Sequence, residues 1–400
     1  MKKILSVFML GGVALSANAQ QINGGFDAEW VKCVPWDSNG NTWASGTQPE
    51  GWHASNVNTA IGKKQIIDAV EGKDGTGKAA HLYNTSILGN KIPAYLTLGT
   101  PFATAEVRGI TVKNSDGGTF GGSSFTFRPD AMRFDYKRDN SKGDENATVI
   151  AYLWNGTWTQ KDVPGNTVVW STAKKVDMQD RDRNILDMPM ATGGDVTSTE
   201  GAACVAKIVK SIEGSTNGEW ASDTINFVYS DKNASVEKLN VIFSATDYFG
   251  DRNNIVDGNS LTIDNVEFVY YHALSNLTFD GAQIEGFSSD KLNYTVEIEG
   301  SAKEAVEKIG YEVKGKGAIV TTVLSDNELA INVIGNDYLV NEDSFTTYTV
   351  TLKQKVVDAI DFISADNAKN HKVYTLDGVR VSGKPAAGVY VVDGKKTTIK

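Results

Sequence analysis

The chain has 400 residues, more than one ordinary domain needs, and this length predicts two or three domains. Its formal net charge of −10, without a basic cluster, argues against a nucleic-acid partner, because phosphate backbones are bound through clustered lysine and arginine. Its 39 glycines and short alternating apolar runs, separated by Asn, Asp and Gly, are typical of an all-β protein.

Residues 1–19 have the pattern of an export signal. Two lysines precede an apolar run that extends from Ile4 to Leu15, and the sequence ANA at 17–19 has the small residues at which a signal peptidase cuts. We therefore expect a periplasmic, cell-surface or extracellular protein that begins at Gln20. No later apolar run approaches the ~18 residues of a membrane-spanning helix, so the sequence predicts no transmembrane segment.

The stretch Gly258–Tyr271 predicts the closing strand of a first unit that covers residues 20–272. Its apolar side chains alternate, and the polar pair Asp264-Asn265 interrupts the alternation as a bulge does. A closing strand needs a partner, and the segment Asn23–Trp30 at the start of the exported chain is the candidate.

Tryptophan is confined to this first unit, since all eight tryptophans lie at or before Trp220. An indole ring can stack on the apolar face of a sugar, so at least one exposed tryptophan is expected to be a sugar platform. We predict this role for Trp52, in a polar loop, and for Trp154, beside an Asn155-Gly156 turn that predicts a hairpin over Ala147–Gln160. The alternative for each is a core position.

Two further pairs of residues leave alternatives open. Arg128 and Asp130 follow a phenylalanine-rich strand pattern and are candidates for a sugar site, but a surface ion pair explains them as well. Cys33 and Cys204 form either one disulfide bond or two buried thiols.

Four motifs of the first unit resemble a known family when they are taken together in chain order. They are the opening GGFDAEW, QPEGWHASN at Gln48–Asn56, the core at Phe127–Lys137 and the closing IDNVEF. The pattern resembles jelly-roll carbohydrate-binding modules and the putative carbohydrate metabolism domain of secreted gut-bacterial proteins. The resemblance implies a jelly-roll β-sandwich, a polysaccharide or oligosaccharide ligand, and a structural calcium ion held by Asp27 and Asp264.

The remainder of the chain divides into two parts. Residues 273–355 contain five or more short strand patterns and resemble cadherin-like repeats of bacterial surface proteins, which implies a smaller immunoglobulin-like β-sandwich. Residues 356–400 read as a linker and a tail with two hairpins, turning at Asp377-Gly378 and Asp393-Gly394. The tail resembles C-terminal sorting signals, which implies attachment at the outer membrane or cell surface.

We therefore expect an exported, non-catalytic glycan-binding protein that takes part in polysaccharide recognition or utilisation at the cell surface. The first alternative is a glycoside hydrolase, but 49 acidic residues do not identify the pair of carboxylates that hydrolysis requires. The second alternative is an adhesin that binds another protein.

Overall fold

The structure is a computed structural model. It describes residues 22–33, 46–59, 62–108, 111–156, 167–170, 185–186, 202–230, 233–355, 361–363, 368 and 371–400. The predicted export signal at 1–19 and the tryptophans Trp36, Trp43 and Trp158 lie outside these residues. No helix within the described ranges is long and apolar enough to span a bilayer.

The protein is an all-β sandwich protein, as the sequence predicts. The strands of the first 272 residues are β1 Trp30–Lys32, β2 Thr47–Pro49, β3 His53–Ala54, β4 Val57–Thr59, β5 Gly62–Lys64, β6 Ile67–Glu71, β7 Lys78–Tyr83, β8 Thr85–Ile87, β9 Asn90–Ile92, β10 Tyr95–Thr97, β11 Thr100–Arg108, β12 Thr111–Phe120, β13 Ser123–Ser124, β14 Ala131–Asp139, β15 Ala147–Asn155, β16 Thr167–Trp170, β17 Ala203–Ile212, β18 Ala221–Asn226, β19 Val228–Tyr229, β20 Lys238–Ser244 and β21 Ser260–Val269. A single turn of 3₁₀ helix, Arg252–Asn254, precedes β21.

Two large sheets form the sandwich. One has the order β19-β17-β15-β20-β10-β3, with β13 also paired to β20, and the other has the order β18-β14-β21-β7-β6. Apolar side chains from both sheets form one buried core, in which Phe134 of the five-stranded sheet contacts Phe243 of the seven-stranded sheet at 5.8 Å between ring centroids. Alternate residues of the five-stranded sheet therefore face the core, and those between them face outward.

The central strand β15 of the seven-stranded sheet is buried on both faces and has no free edge for the hairpin predicted at Ala147–Gln160. Val149, Ala151 and Leu153 belong to the central core, whereas Ile150, Tyr152 and Trp154 belong to a second apolar cluster. Both edges of β15 are already paired, with β17 and with β20. The second strand of a hairpin would have to pair with one of these edges. The residues after Gly156 that would form this second strand lie outside the described ranges.

The closing strand forms as predicted, and it meets the opening segment. The Val266 N–H donates to the Gly24 carbonyl at 2.9 Å. The register between β14 and β21 shifts between Arg133 and Asp135 of β14, because β21 bulges at this point. Asn265 lies in the bulge and has a left-handed φ of 51°. Asn tolerates this conformation better than most residues do, which explains why the bulge falls there.

The rest of the chain forms smaller sheets. Their elements are β22 Leu274–Phe279, β23 Ala282–Gln283, β24 Asn293–Ile298, the short helix α1 Ala302–Val306, β25 Ile309–Val313, β26 Ile319–Ser325, β27 Glu328–Ile334, β28 Phe345–Gln354, β29 Asp361–Ile363, β30 Val373–Tyr374, β31 Gly388–Val392 and β32 Lys395–Ile399. Sheets with the orders β23-β22-β25 and β24-β28-β27-β26 contain the strands predicted within 273–355. The tail folds as β29-β32-β31-β30, and its predicted turn at Asp393-Gly394 has φ angles of 48° and 87°.

The chain divides into two compact units. The first comprises the residues up to Ser275 together with 312–321 and 332–346, and the second comprises 276–311, 322–331 and the residues from Thr347 onward. Two stretches of the predicted second domain thus group with the first unit, so the division is not a simple succession along the chain. The domain boundaries at 272 and 355 stay predictions.

Both cysteines are free, which decides between the two alternatives of the sequence. Cys33 accepts a hydrogen bond from the Asn56 side-chain amide, with 3.4 Å between nitrogen and sulfur. Burial raises the pKa of Cys204 to about 11, although Lys207 lowers it in part. Neither thiol is therefore activated as a nucleophile.

Candidate functional site: a groove on the outer face of the five-stranded sheet

A groove of about 430 Å³ lies on the outer face of the five-stranded sheet. The polar and aromatic side chains that line it are Glu71, Lys73, His81, Lys137, Trp220 and Thr262. They come from five separate parts of the chain, and only the pairing of the strands brings them together.

The floor of the groove is one cross-strand row. Lys137 of β14 lies opposite Thr262 of β21, and Thr262 lies opposite His81 of β7. Asp68 of β6 extends the row beyond His81. All four residues are on the outer face, because the core-facing residues of these strands occupy the alternate positions.

Trp220 forms the wall at the opposite end of the row from Asp68. It directly precedes β18, whose first residue Ala221 pairs with Tyr136, so Trp220 lies beside Lys137. The Lys137 ammonium is 4.8 Å from the centroid of the indole ring, within the range of a cation–π contact. The ring is partly exposed, and it presents an apolar surface beside a row of hydrogen-bonding groups.

His81 is held as a neutral ring in the middle of the row. Its Nδ1 is 2.9 Å from the Thr262 hydroxyl oxygen, and its ring stacks on Tyr83 with 5.6 Å between centroids. Burial lowers the pKa of His81, and the carboxylates of Asp68 and Asp139 offset part of that shift. A neutral imidazole has one N–H donor and one acceptor nitrogen, and Nδ1 takes one of these two roles toward Thr262.

The loop 72–77 closes the groove and is fastened to the bulge of β21. The backbone N–H of Lys73 donates to Asp264 at 2.8 Å, and the Lys73 ammonium donates to Asp135 at 2.8 Å. Burial raises the pKa of Asp135, but hydrogen bonds from Lys73, Ser222 and Asn265 outweigh burial and hold that pKa below its usual range. The ion pair therefore fixes the position of the loop beside the groove.

The structure overturns the predicted exposure of Trp52 and Trp154. Trp52 is 1% exposed and packs between Phe26 and Phe243, and its indole N–H donates to the Asn23 carbonyl at 2.9 Å. Trp154 is fully buried in the second apolar cluster. Neither ring has a face on which a sugar could stack, because both are covered by packed side chains.

Arg128 and Asp130 lie outside the groove and have structural contacts. The Arg128 guanidinium lies over the Tyr229 ring at 4.8 Å and donates to the Ala234 carbonyl. Asp130 is 6% exposed, and its two oxygens accept the backbone N–H groups of Tyr271 and Lys316. Burial raises the pKa of Asp130, and these two hydrogen bonds offset part of the rise.

Asp27 and Asp264 contact the two ends of the loop 72–77, and the charge of Asp27 acts on Asp264. Asp27 accepts the backbone N–H of Lys78 at 2.7 Å, and Asp264 accepts that of Lys73. Burial raises the pKa of Asp264, and the negative charges of Asp27 and Asp135 raise it further. Within the described ranges, no group of three or more His, Cys, Asp or Glu side chains could hold a metal ion.

The sequence contains one signal for Trp220. It ends the polar stretch 213–219 immediately before an alternating segment, and a tryptophan at the start of an edge strand has a free side. The row of Lys137, Thr262 and His81 had no comparable signal, because it depends on the registers of three strands.

No family model and no curated protein sequence matches the chain. Among solved structures, a putative sugar binding protein from Bacteroides thetaiotaomicron VPI-5482 aligns with 63% of this chain and 99% of its own, at 12% identity and a TM-score of 0.25. The GlcNAcα1-4Gal releasing endo-β-galactosidase from Clostridium perfringens aligns with 96% of this chain and 89% of its own, at 9% identity and a TM-score of 0.25. Both scores are too low to assign the chain to a family.

Proposed function

We propose that this chain is an exported, non-catalytic glycan-binding protein that recognises polysaccharide at the cell surface through the groove on its five-stranded sheet. The observation that carries the proposal is the position of Trp220, a partly exposed indole at one end of the row Lys137, Thr262 and His81. Export at residues 1–19 and attachment through the tail at 356–400 are parts of the same proposal and rest on the sequence.

The groove offers both kinds of contact that a sugar ring needs. The axial C–H groups of a sugar pack on an indole, while its hydroxyls exchange hydrogen bonds with polar side chains along the ring edge. In the groove the ammonium of Lys137 is a donor and the carboxylate of Glu71 is an acceptor, and the imidazole of His81 contributes Nε2, since its Nδ1 contacts Thr262. The open shape of the groove suits part of a long chain of sugars.

The alternative of glycan hydrolysis makes a stronger demand on the same groove. It requires a pair of carboxylates about 5 to 10 Å apart, one of them a general acid. Glu71 is the carboxylate among the described lining residues, and hydrolysis would need a second acid across the groove from it.

The experiment is a binding screen of the purified chain against plant and host polysaccharides, followed by an assay for new reducing ends on each glycan that binds. We expect retention by at least one polysaccharide and no new reducing ends. Sustained turnover that is lost in Glu71→Gln would replace this proposal with the hydrolase. Binding to no glycan, together with capture of a purified protein from the surface of another cell, would replace it with the adhesin.

We also propose that Asp27 and Asp264 hold a structural calcium ion against the loop 72–77. The donor chemistry fits, since both groups are carboxylates, and burial together with the charge of Asp27 raises the pKa of Asp264. Calcium takes about six to eight oxygen ligands, so backbone carbonyls or water would have to supply most of them. When bound, the ion would neutralise the two charges and fasten the loop beside the groove.

Calcium binding predicts a melting temperature that depends on calcium, because a ligand of the folded state stabilises it. We expect the melting temperature of the wild type to fall when calcium is chelated and to recover when calcium is restored. The variant Asp264→Asn should lose this response, and Asp280→Asn, an exposed acid far along the chain, should keep it. An identical melting temperature with calcium and with chelator would disprove the site.

A further inference from the structure

The strand β26 is an exposed sheet edge without the usual protection against pairing. It ends the sheet β24-β28-β27-β26, and no strand in the described part of the chain pairs with its outer side. Its sequence IVTTVLS contains no charge, no proline and no glycine, and nearly all of it is exposed. The strand β24 at the opposite edge of the same sheet carries the exposed charge of Glu297.

The exposed apolar surface of β26 is concentrated in two side chains. Ile319 is 60% exposed and Val323 is 56% exposed, and the hydroxyl-bearing Thr321 stands between them on the same face. Single exposed apolar residues are ordinary, but two on the free edge of a charge-free strand form a surface suited to another strand.

Geometry limits how two copies of this strand can pair. A two-fold axis perpendicular to a sheet turns each strand antiparallel to its copy and leaves every side chain on its original face. Two residues of opposite copies can then lie directly opposite each other only if their side chains point to the same face of the sheet. With Thr321 on the axis, Ile319 lies opposite Val323 of the other copy, and this contact occurs twice.

The charges that flank β26 fit the same register. Lys316 lies five residues before Thr321 and Asp326 lies five residues after it, and both side chains are exposed. Both residues lie outside the strand, Lys316 in a bend and Asp326 in a turn with a left-handed φ of 52°, so antiparallel pairing brings Lys316 of each copy to the same end of the pair as Asp326 of the other. Apolar residues thus meet apolar residues, and each end of the pair carries one cation and one anion.

We propose that β26 pairs with the β26 of a second copy of this chain, antiparallel and with Thr321 on the two-fold axis. The pairing extends the four-stranded sheet across two molecules and satisfies the free edge of each. Since one strand edge buries a small area, the dimer belongs to the class of weak, concentration-dependent assemblies.

The first test is sedimentation of the chain from Gln20 to Lys400 over a range of micromolar concentrations. The wild type should shift from monomer to dimer as concentration rises. Thr321→Lys places two ammonium groups directly opposite each other and should weaken dimerisation about tenfold or more. The matched control is Val228→Lys, since Val228 is 69% exposed on the edge strand β19, and this variant should dimerise as the wild type does.

The second test examines the register and does not depend on the folding of a lysine variant. On mild oxidation, Thr321→Cys should form a disulfide-linked dimer, because the two cysteines would lie opposite each other within the distance that a disulfide spans. Val323→Cys should not, since its opposite residue is Ile319. Lys316→Asp and Asp326→Lys should each weaken the dimer, and the double variant should restore it.

Three outcomes would overturn the proposal. They are a wild type that stays monomeric at every concentration, a Thr321→Lys variant that folds and dimerises like the wild type, and equal crosslinking of Thr321→Cys and Val323→Cys.

Discussion

The two faces of the five-stranded sheet differ in burial and in the side chains that the same strands carry. The inner face carries Met132, Phe134 and Leu261 into the common core, where Trp52 packs as well. The outer face carries Lys137 and Thr262 from the same two strands, and Trp220 borders it. Tryptophan is therefore buried on one face and partly exposed at the other, and residue type alone does not distinguish the two positions.

The largest effect is expected for tryptophans on the core side. Trp52→Ala should lower the free energy of unfolding by about 3 to 5 kcal/mol, because it leaves a large cavity among packed rings. Trp220→Ala is the matched control and should change stability by less than about 0.5 kcal/mol, since its ring is partly exposed. Denaturant titration of both variants measures the difference, and equal losses would break the distinction between the faces.

An intermediate effect is expected for the one guanidinium on the inner side of β14. Arg138 is 1% exposed and donates to the Ser260 carbonyl at 2.8 Å and to the Glu145 carbonyl. Arg138→Met removes both donors and should lower the free energy of unfolding by about 1 to 3 kcal/mol, because buried carbonyls are left unpaired.

The control for this variant is Arg133→Met on the outer face of the same strand. Arg133 pairs with Glu267 at 2.6 Å, but both side chains are about half exposed, so solvent screens the pair. Arg133→Met should lower the free energy of unfolding by less than Arg138→Met does in the same denaturant titration. A larger loss at Arg133 would contradict the assignment of the two faces.

The smallest effect is expected from the titration of His81. Burial lowers its pKa from the ordinary value of 6.5, so the unfolded chain binds more protons than the folded chain just below that pH. Stability should therefore be complete above about pH 6.5 and should fall as the pH drops. The melting temperature of His81→Gln should fall less steeply than that of the wild type as the pH drops. His53, whose pKa is also lowered by burial, should keep some pH dependence in that variant.

The sequence predicted features that depend on neighbouring residues. The interruption of alternation at Asp264-Asn265 became the bulge of β21, and Asp393-Gly394 became a tight turn with two positive φ angles. Both follow from local backbone preferences, since Asn, Asp and Gly accept left-handed conformations more readily than other residues.

Features that depend on distant strands were missed or wrong. The turn after Trp154 predicts an exposed ring. In the structure, β17 and β20 from far along the chain pair with both edges of its strand, and the ring is buried. The uninterrupted apolar run of that strand was the available signal, since runs of this kind are typical of strands buried on both faces. The groove was not predictable, because its row joins residues as distant as His81 and Thr262.

The most direct test of the glycan-binding proposal is a calorimetric titration of the strongest glycan of the screen against the wild type, Trp220→Ala and Tyr311→Ala. Tyr311 is 41% exposed and lies outside the groove, so it controls for loss of an exposed aromatic ring. We predict that Trp220→Ala binds roughly tenfold to a hundredfold more weakly at an unchanged melting temperature, while Tyr311→Ala binds as the wild type does. Wild-type affinity in Trp220→Ala would contradict the assignment of the groove as the glycan site.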